Sequence, residues 1–314
     1  MSQPGTREVE HSITVQAPAK TLYQLLAEVE NWPLMFPPSV HVECLERGER
    51  EERIQIWAVA NGAPKTWKSR RVLTPEDLRI EFRQEVSTPP VAAMGGTWII
   101  EAVSENESRV RLLHDYRAID DDPDSLAWID RAVDRNSGAE LAALKANAEL
   151  AHGSAELLLT FEDSVQIGGR SRDVYDFINE AQLWEARLPH VAQVRLEEET
   201  PGLQLLEMDT RTKDGSVHTT KSVRVCFPHD RIVYKQTQVP ALMTLHTGKW
   251  TLVDNDEGVH ATSQHTVIIN EANIEEILGA DADVEQARNF VRNALGNNSL
   301  ATLRHAKEFA ERRK

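Results

Sequence analysis

The chain has 314 residues, a formal net charge of -15, 27% charged residues and 40% hydrophobic ones, an ordinary composition for a globular protein of two domains of about 150 residues each. Its acidity, with no Lys/Arg stripe interleaved with aromatics, argues against a nucleic-acid partner held through phosphates. No run approaches the roughly 20 apolar residues of a membrane span, nothing at the N-terminus has a signal-peptide apolar region, and Cys44 and Cys226 make neither a CxxC pair nor a disulfide framework, so no membrane is expected and a reducing cytoplasm is the natural compartment.

Residues 10–15 alternate apolar and polar, which predicts a strand. Leu22, Leu25, Leu26 and Val29 follow at helical spacing behind Pro18, and Trp32-Pro33 ends that helix, because the residue before proline is pushed out of helical space. Strands are predicted at residues 40–47, 53–60, 66–73 and 79–86. Asn61-Gly62 makes a hairpin turn between the second and third. Residues 87–96, with Pro89-Pro90 and Gly95-Gly96, read as a loop at a pocket mouth, and strands at 97–103 and 109–117 complete a sheet. A long helix is then expected over about residues 125–152, with Leu126, Ile129, Val133, Leu141 and Leu144 on one stripe.

The second half repeats this order. Ser12, Tyr23 and Trp32 are answered by Ser164, Tyr175 and Trp184 at a constant offset of about 152. Lys68-Ser69-x-Arg71 is answered by Lys221-Ser222-x-Arg224, Trp98 by Trp250, His114 by His265, and Asn136-Ser137 by Asn298-Ser299. A period this long is a duplicated domain and not a solenoid repeat. The expected fold class is α+β: two tandem domains, 1–152 and 153–314, each a curved antiparallel sheet around a long C-terminal helix, with an interior pocket between them.

Strand parity shows which polar residues face that interior. In 109–117 the charged parity faces water, so His114 and Tyr116 face in. In 79–86 Gln84 shares the inward face with Ile80 and Phe82, and in 66–73 Ser69 and Arg71 share it with Trp67 and Leu73. A lone inward His or Gln is commonly a core residue with a satisfied hydrogen bond. An inward arginine is rarely buried unpaired, and the inward parities of these strands offer it no evident carboxylate. Trp67, Ser69, Arg71, Gln84, His114 and Tyr116 together outline an apolar pocket with convergent polar groups. No phosphate loop, dinucleotide fingerprint or nucleophile elbow occurs. His246 and the other remaining histidines are scattered without zinc spacing, so neither metal nor cofactor is expected.

These residues carry a resemblance. The layout resembles the helix-grip fold of the START and Bet v 1 superfamily, and the whole chain resembles the di-domain aromatase/cyclases of bacterial type II polyketide synthases. The carrying features are Asn31-Trp32-Pro33-x-x-Phe36, the strand Trp67-x-Ser69-x-Arg71, and Asn136-Ser137 with Glu140-Leu141-x-x-Leu144-Lys145. The resemblance implies a polyketide cyclase/aromatase that closes and dehydrates the first ring of a ketoreduced poly-β-ketone held on an acyl carrier protein, beside other synthase subunits. It also implies that Arg71, Ser69, Trp67, Trp32 and Asn136 line the pocket.

The chemistry then expected gives Arg71 the developing oxyanions, Ser69 the placing of a carbonyl or a water, and His114 or Tyr116 the proton transfers. Gln84 and Trp98 complete the first pocket; Ser222, Arg224, Gln236, His265 and Asn298 form the second. The first copy keeps Trp67 where the second has Thr220, so the reaction is expected in the N-terminal half. A basic patch of Lys65, Lys68 and Arg70, with Lys213 and Lys221 as counterpart, is the expected carrier-protein contact. The alternative from another class is a non-catalytic carrier of an apolar small molecule, which a fold hosting many lipid carriers allows.

Overall fold

The computed structural model describes residues 5–60, 62–150, 155–211 and 215–313. Asn61 of the expected hairpin, Lys213 of the expected patch and the expected domain boundary at 152/153 lie outside the described residues. Each half forms its own compact unit.

The first unit runs β1 (Arg7–Val15), α1 (Ala19–Ala27), α2 (Trp32–Met35), β2 (Ser39–Arg47), β3 (Glu51–Ala60), β4 (Ala63–Thr74), β5 (Arg79–Gln84), β6 (Val91–Ser104), β7 (Glu107–Ala118) and α3 (Pro123–Leu150). Its strands form one sheet in the order β1-β7-β6-β5-β4-β3-β2. Pro123 opens α3, and the Asp122 carboxylate accepts from the Ser125 backbone N–H at 2.8 Å, capping the first turn. The helix lies against β1 and β7. Leu141, Leu144 and Ala148 on its inner stripe pack with Leu22 and Leu26 of α1 and with Trp98, Ile100, Val110 and Leu112 of the sheet. Burying each such side chain contributes about 1.5–3 kcal/mol.

The second unit repeats the plan: β8 (Leu158–Ile167), α4 (Ser171–Asn179), α5 (Trp184–Arg187), β9 (Val191–Thr200), β10 (Leu203–Arg211), β11 (Val217–Phe227), β12 (Arg231–Gln238), β13 (Met243–Asn255), β14 (Gly258–Ile269), α6 (Ile274–Leu278) and α7 (Val284–Glu311). The sheet order is β8-β14-β13-β12-β11-β10-β9, strand for strand that of the first. Asp283 and Gln286 form a capping box at the start of α7. The tie between the last helix and the first strand is duplicated too. Lys145 bonds Glu149 and the Thr14 carbonyl; Lys307 bonds Glu311 and the Gln166 carbonyl.

Two expectations change. Residues 91–96 are not loop but the start of β6, because their backbone pairs with β7 from Val91 onward and Gly95 and Gly96 give the room for that pairing. Helix α6 has no counterpart in the first unit, where a short turn at Ile119–Asp121 joins sheet to helix.

Candidate active site

Strand β4 carries Ser69 and Arg71 to the inner face as expected, and both are buried. The expectation that Arg71 lacks a carboxylate is wrong. Glu52 of β3, itself buried, accepts from its Nη2 at 2.7 Å. Nη1 and Nη2 also donate to the Leu26 and Ala27 carbonyls at 2.9 and 2.7 Å, at the end of α1. The guanidinium lies 5.6 Å from the Trp32 ring centre. Arg71 therefore ties helix to sheet, with its charge compensated. Period-2 reading assigned faces strand by strand and could not pair Glu52 with a residue one strand away.

The other first-unit residues are largely spent on protein partners. The Ser69 hydroxyl donates to the Arg83 carbonyl at 2.9 Å. The Tyr116 hydroxyl donates to Asp130 at 2.5 Å, on α3. Gln84 accepts from the Ser87 hydroxyl at 3.1 Å. Trp98 belongs to the main core cluster, while Trp67 packs on the smaller cluster of Val29, Val42, Ile54 and Ile56. Asn136 does not line a pocket: it is exposed on α3, and the next residue, Ser137, is the buried one. Helical geometry explains the miss, since adjacent residues lie about 100° apart. Ser137 Oγ is 3.3 Å from Nδ1 of His114, and burial lowers that imidazole to about 4, so it is neutral at pH 7.

Glu140, one turn along α3 from Ser137, enters the sequence reading only as part of a motif, with no role in the site. It keeps some accessible area yet is surrounded by protein, and that burial lifts its carboxyl to about 7. The signal was present in sequence: an acid on the same helical stripe as Val133, Leu141 and Leu144. Thr302 occupies its place in the second unit, where it is buried and bonded to the Asn298 carbonyl.

A cavity of about 810 Å³ on the first unit is a different feature. It is open to solvent and lined chiefly by the outward parity of β1, β5, β6 and β7, including Glu8, Glu10, Arg83, Asp115 and Arg117. Arg83 and Asp115 are ion-paired there at 2.7 Å.

An interior cavity of about 120 Å³ lies in the second unit between sheet and α7. Trp184, Trp250, Leu206 and Met208 give it apolar walls; Ser222, Arg224, Gln236, His265 and Asn298 line it as expected. His246 and Tyr234 join them. His265 Nδ1 is 3.0 Å from His246 Nε2 and 3.2 Å from the Tyr234 hydroxyl, and its Nε2 is 3.2 Å from Ser263 Oγ. Burial holds His265 at about 4 and His246 well below its usual range, with the neighbouring His265 lowering His246 further. Gly248 makes the cluster possible: a Cβ there would strike the Tyr234 ring, which crosses its strand on β12. Met94 and Phe82 stand at the corresponding places in the first unit, so this cluster belongs to the second copy alone. Its parity was legible, since His246 shares a face with Gly248 and Trp250 on β13.

Arg224, almost wholly buried, donates from Nη2 to the Ile178 carbonyl at 2.7 Å and lies 5.3 Å from the Trp184 ring centre. Its Nη1, Gln236 Oε1 and His246 Nδ1 are buried without a hydrogen-bond partner. Among the described residues no group of His, Cys, Asp and Glu is arranged to hold a metal ion. The outward basic residues are partly neutralised, Arg70 by Glu85 at 3.1 Å and Lys221 by Glu207 at 2.7 Å.

Comparison with known proteins shows the chain's family and fold. Residues 6–149 match the family described as polyketide cyclase / dehydrase and lipid transport. The granaticin polyketide synthase bifunctional cyclase/dehydratase of Streptomyces virginiae is 52% identical over 303 residues, 94% of this chain and 97% of its own. The actinorhodin polyketide synthase bifunctional cyclase/dehydratase of Streptomyces coelicolor is 46% identical, covering 98% of each chain. Among solved structures, the di-domain ARO/CYC BexL from the BE-7585A biosynthetic pathway superposes with a TM-score of 0.91 at 62% identity, covering 97% of this chain and 99% of that one. The di-domain ARO/CYC StfQ from the steffimycin biosynthetic pathway gives 0.87 at 37% identity, with the same coverage.

Proposed function

The chain belongs to the bifunctional cyclase/dehydratases of aromatic polyketide synthases, and on that premise we propose that it takes a ketoreduced poly-β-ketone from an acyl carrier protein, closes its first ring by aldol addition and dehydrates it to an aromatic ring. Cyclase/dehydratase activity is the family's chemistry. The carrier-bound, ketoreduced substrate, the assignment of residues 1–152 and 153–314 as two aromatase/cyclase domains, and a cytoplasmic place beside the other synthase subunits are our reading. No helix among the described residues is long and apolar enough to cross a membrane.

The observation that carries the reading is the interior cavity of the second unit, where two tryptophans and a few buried polar groups face one space. A methylene between two carbonyls is acidic enough for a modest base. Its proton leaves, the enolate carbon bonds to a distant carbonyl carbon, and that oxygen takes up a proton. A neighbouring C–H is then lost as the new hydroxyl departs as water, and the hydroxyl left by ketoreduction departs in the same way as a second water, after which enolisation of the remaining ring ketone completes the aromatic ring. Aromatic walls orient the flexible chain, and proximity alone supplies several kcal/mol. The contiguous Tyr234, His265 and His246 suit proton transfer in the second pocket. In the first, His114 and the half-protonated Glu140 suit it, with Ser69 and Arg71 holding the wall they act from. The reaction so written needs no cofactor.

The test is reconstitution with a minimal polyketide synthase and a ketoreductase, comparing products with and without this chain. The reading expects one correctly folded aromatic product in place of spontaneous shunt products. A product profile unchanged by the chain, with the polyketide nevertheless bound, would identify a carrier instead.

A further inference from the structure

We propose that Gln204 makes Arg224 the oxyanion-binding group of the second pocket, a role that Glu52 denies to Arg71 in the first. The proposal rests on the functional reading above for the identity of the anion, the enolate of a β-dicarbonyl segment.

The two arginines occupy the same place on β4 and β11, and both are buried beneath a tryptophan and bonded to the end of the preceding helix. They differ in one neighbour. Glu52 and Gln204 are equivalent: Glu52-x-Ile54-x-Ile56 of β3 is answered by Gln204-x-Leu206-x-Met208 of β10, with Ile54 and Leu206 both buried. Glu52 gives Arg71 its carboxylate at 2.7 Å. Gln204, the direct cross-strand partner of Arg224, brings no charge. Its side-chain N–H instead donates at 2.8 Å to Glu198, a solvent-exposed acid whose charge reaches Arg224 through space without an ion-pair contact. Burial pulls the Arg224 pKa down, but a guanidinium does not give up its proton in a protein. Among the described residues the second pocket thus holds a buried cation with one hydrogen bond and no ion-paired carboxylate.

Its surroundings specify the counter-ion. Three buried, unpartnered polar atoms line this cavity: a donor, Arg224 Nη1; an acceptor, Gln236 Oε1; and a ring nitrogen of either role, His246 Nδ1. In the first unit both terminal nitrogens of Arg71 are bonded, to Glu52 and to the Leu26 and Ala27 carbonyls, and only its Nε lacks a partner; Gln84 Oε1 is answered by Ser87, and Met94 replaces His246. Buried polar groups are normally satisfied, so three left open around one space describe an absent polar ligand. An anionic oxygen on Arg224, with a second oxygen in its hydroxyl form donating to Gln236, is the pattern of an enolised β-dicarbonyl. Gln204 acts through Arg224 and is a positioning residue; Arg224 touches the substrate oxygen.

The test is calorimetric titration of the full chain, reduced, with dimedone, a cyclic β-diketone that is an enolate at neutral pH. Wild type should bind it saturably. Gln204→Glu should weaken binding about tenfold or more, because it installs the carboxylate that Arg71 has in the first unit. Gln204→Met, neutral and similar in size, should keep the affinity, which separates charge from shape. Should Gln204→Glu fold poorly, Arg224→Gln reports the same loss. Equal affinity of wild type and Gln204→Glu, or of wild type and Arg224→Gln, or no saturable binding to wild type, overturns the proposal. A chain that binds dimedone through Arg224 yet leaves reconstituted products unchanged refutes the cyclase reading and leaves the anion site standing.

Discussion

His246 and His265 stack with ring centres 5.2 Å apart and facing nitrogens at 3.0 Å, inside a wall from which water is largely excluded. Two imidazolium ions cannot share that space, so the pair passes a single proton and does not store two.

The first prediction concerns acid stability. Unfolded histidines titrate near 6.5, whereas burial holds His114 and His265 at about 4 in the fold and His246 well below its usual range. Below pH 6.5 the unfolded chain therefore binds more protons, and stability falls as pH drops from 6.5 towards 4. His246→Met, which installs the first unit's residue, should flatten this slope by about one proton. Urea midpoints measured across that range check it; an unchanged slope counts against the buried neutral imidazole.

Glu140 predicts the opposite sign. Its carboxyl holds a proton up to about pH 7 in the fold but loses it near 4.5 when unfolded. Between those values the unfolded chain binds fewer protons, so this group's contribution declines as pH rises, by on the order of 3 kcal/mol when complete. Glu140→Gln should match wild type near pH 4 and exceed it near pH 8. Should the two proteins show the same pH dependence, the elevated carboxyl is wrong.

Glu52→Gln should destabilise the first unit by about 3 kcal/mol, since it leaves the Arg71 charge buried without its partner and also removes the partner of Arg47. The unfolding midpoint is the readout. A change within about 0.5 kcal/mol, the range of ordinary surface substitutions, would show the pair to be ornamental to that wall.

Gly248→Ala should cost about 1–3 kcal/mol and displace the Tyr234 ring from His265, because the new methyl occupies the ring's position. A crystal structure of the variant with the Tyr234–His265 contact intact would contradict the packing argument.

The order of elements, the duplication and most inward faces were legible in the sequence because period-2 strands and a period-3.6 helix alternate cleanly in both halves. The last helix was placed within about two residues at each described end. The site was legible only in part. Parity in the first copy, carried over by the repeat, placed Arg224, Gln236 and His265 on the cavity wall, yet it could not see that Glu52 reaches Arg71 across a strand boundary or that His246 meets His265 from the neighbouring strand. Such contacts depend on register between strands, which one strand's pattern does not contain. Asn136 failed for the converse reason: its neighbour Ser137 carries the buried position of the same dipeptide. The expectation that the N-terminal half reacts rested on Trp67, but the buried open valences that line the interior cavity lie in the half that lacks it.

The second pocket as the site of ring formation is the claim on which the rest depends. Its most direct test is the yield of correctly aromatised product from the reconstituted synthase supplied with Arg224→Gln, against wild type and Arg71→Gln, each shown to be folded. The account predicts that Arg224→Gln loses that product at least tenfold, whereas any loss in Arg71→Gln follows its loss of folded protein. Full product from Arg224→Gln, with none from folded Arg71→Gln, would contradict it and return the reaction to the first pocket.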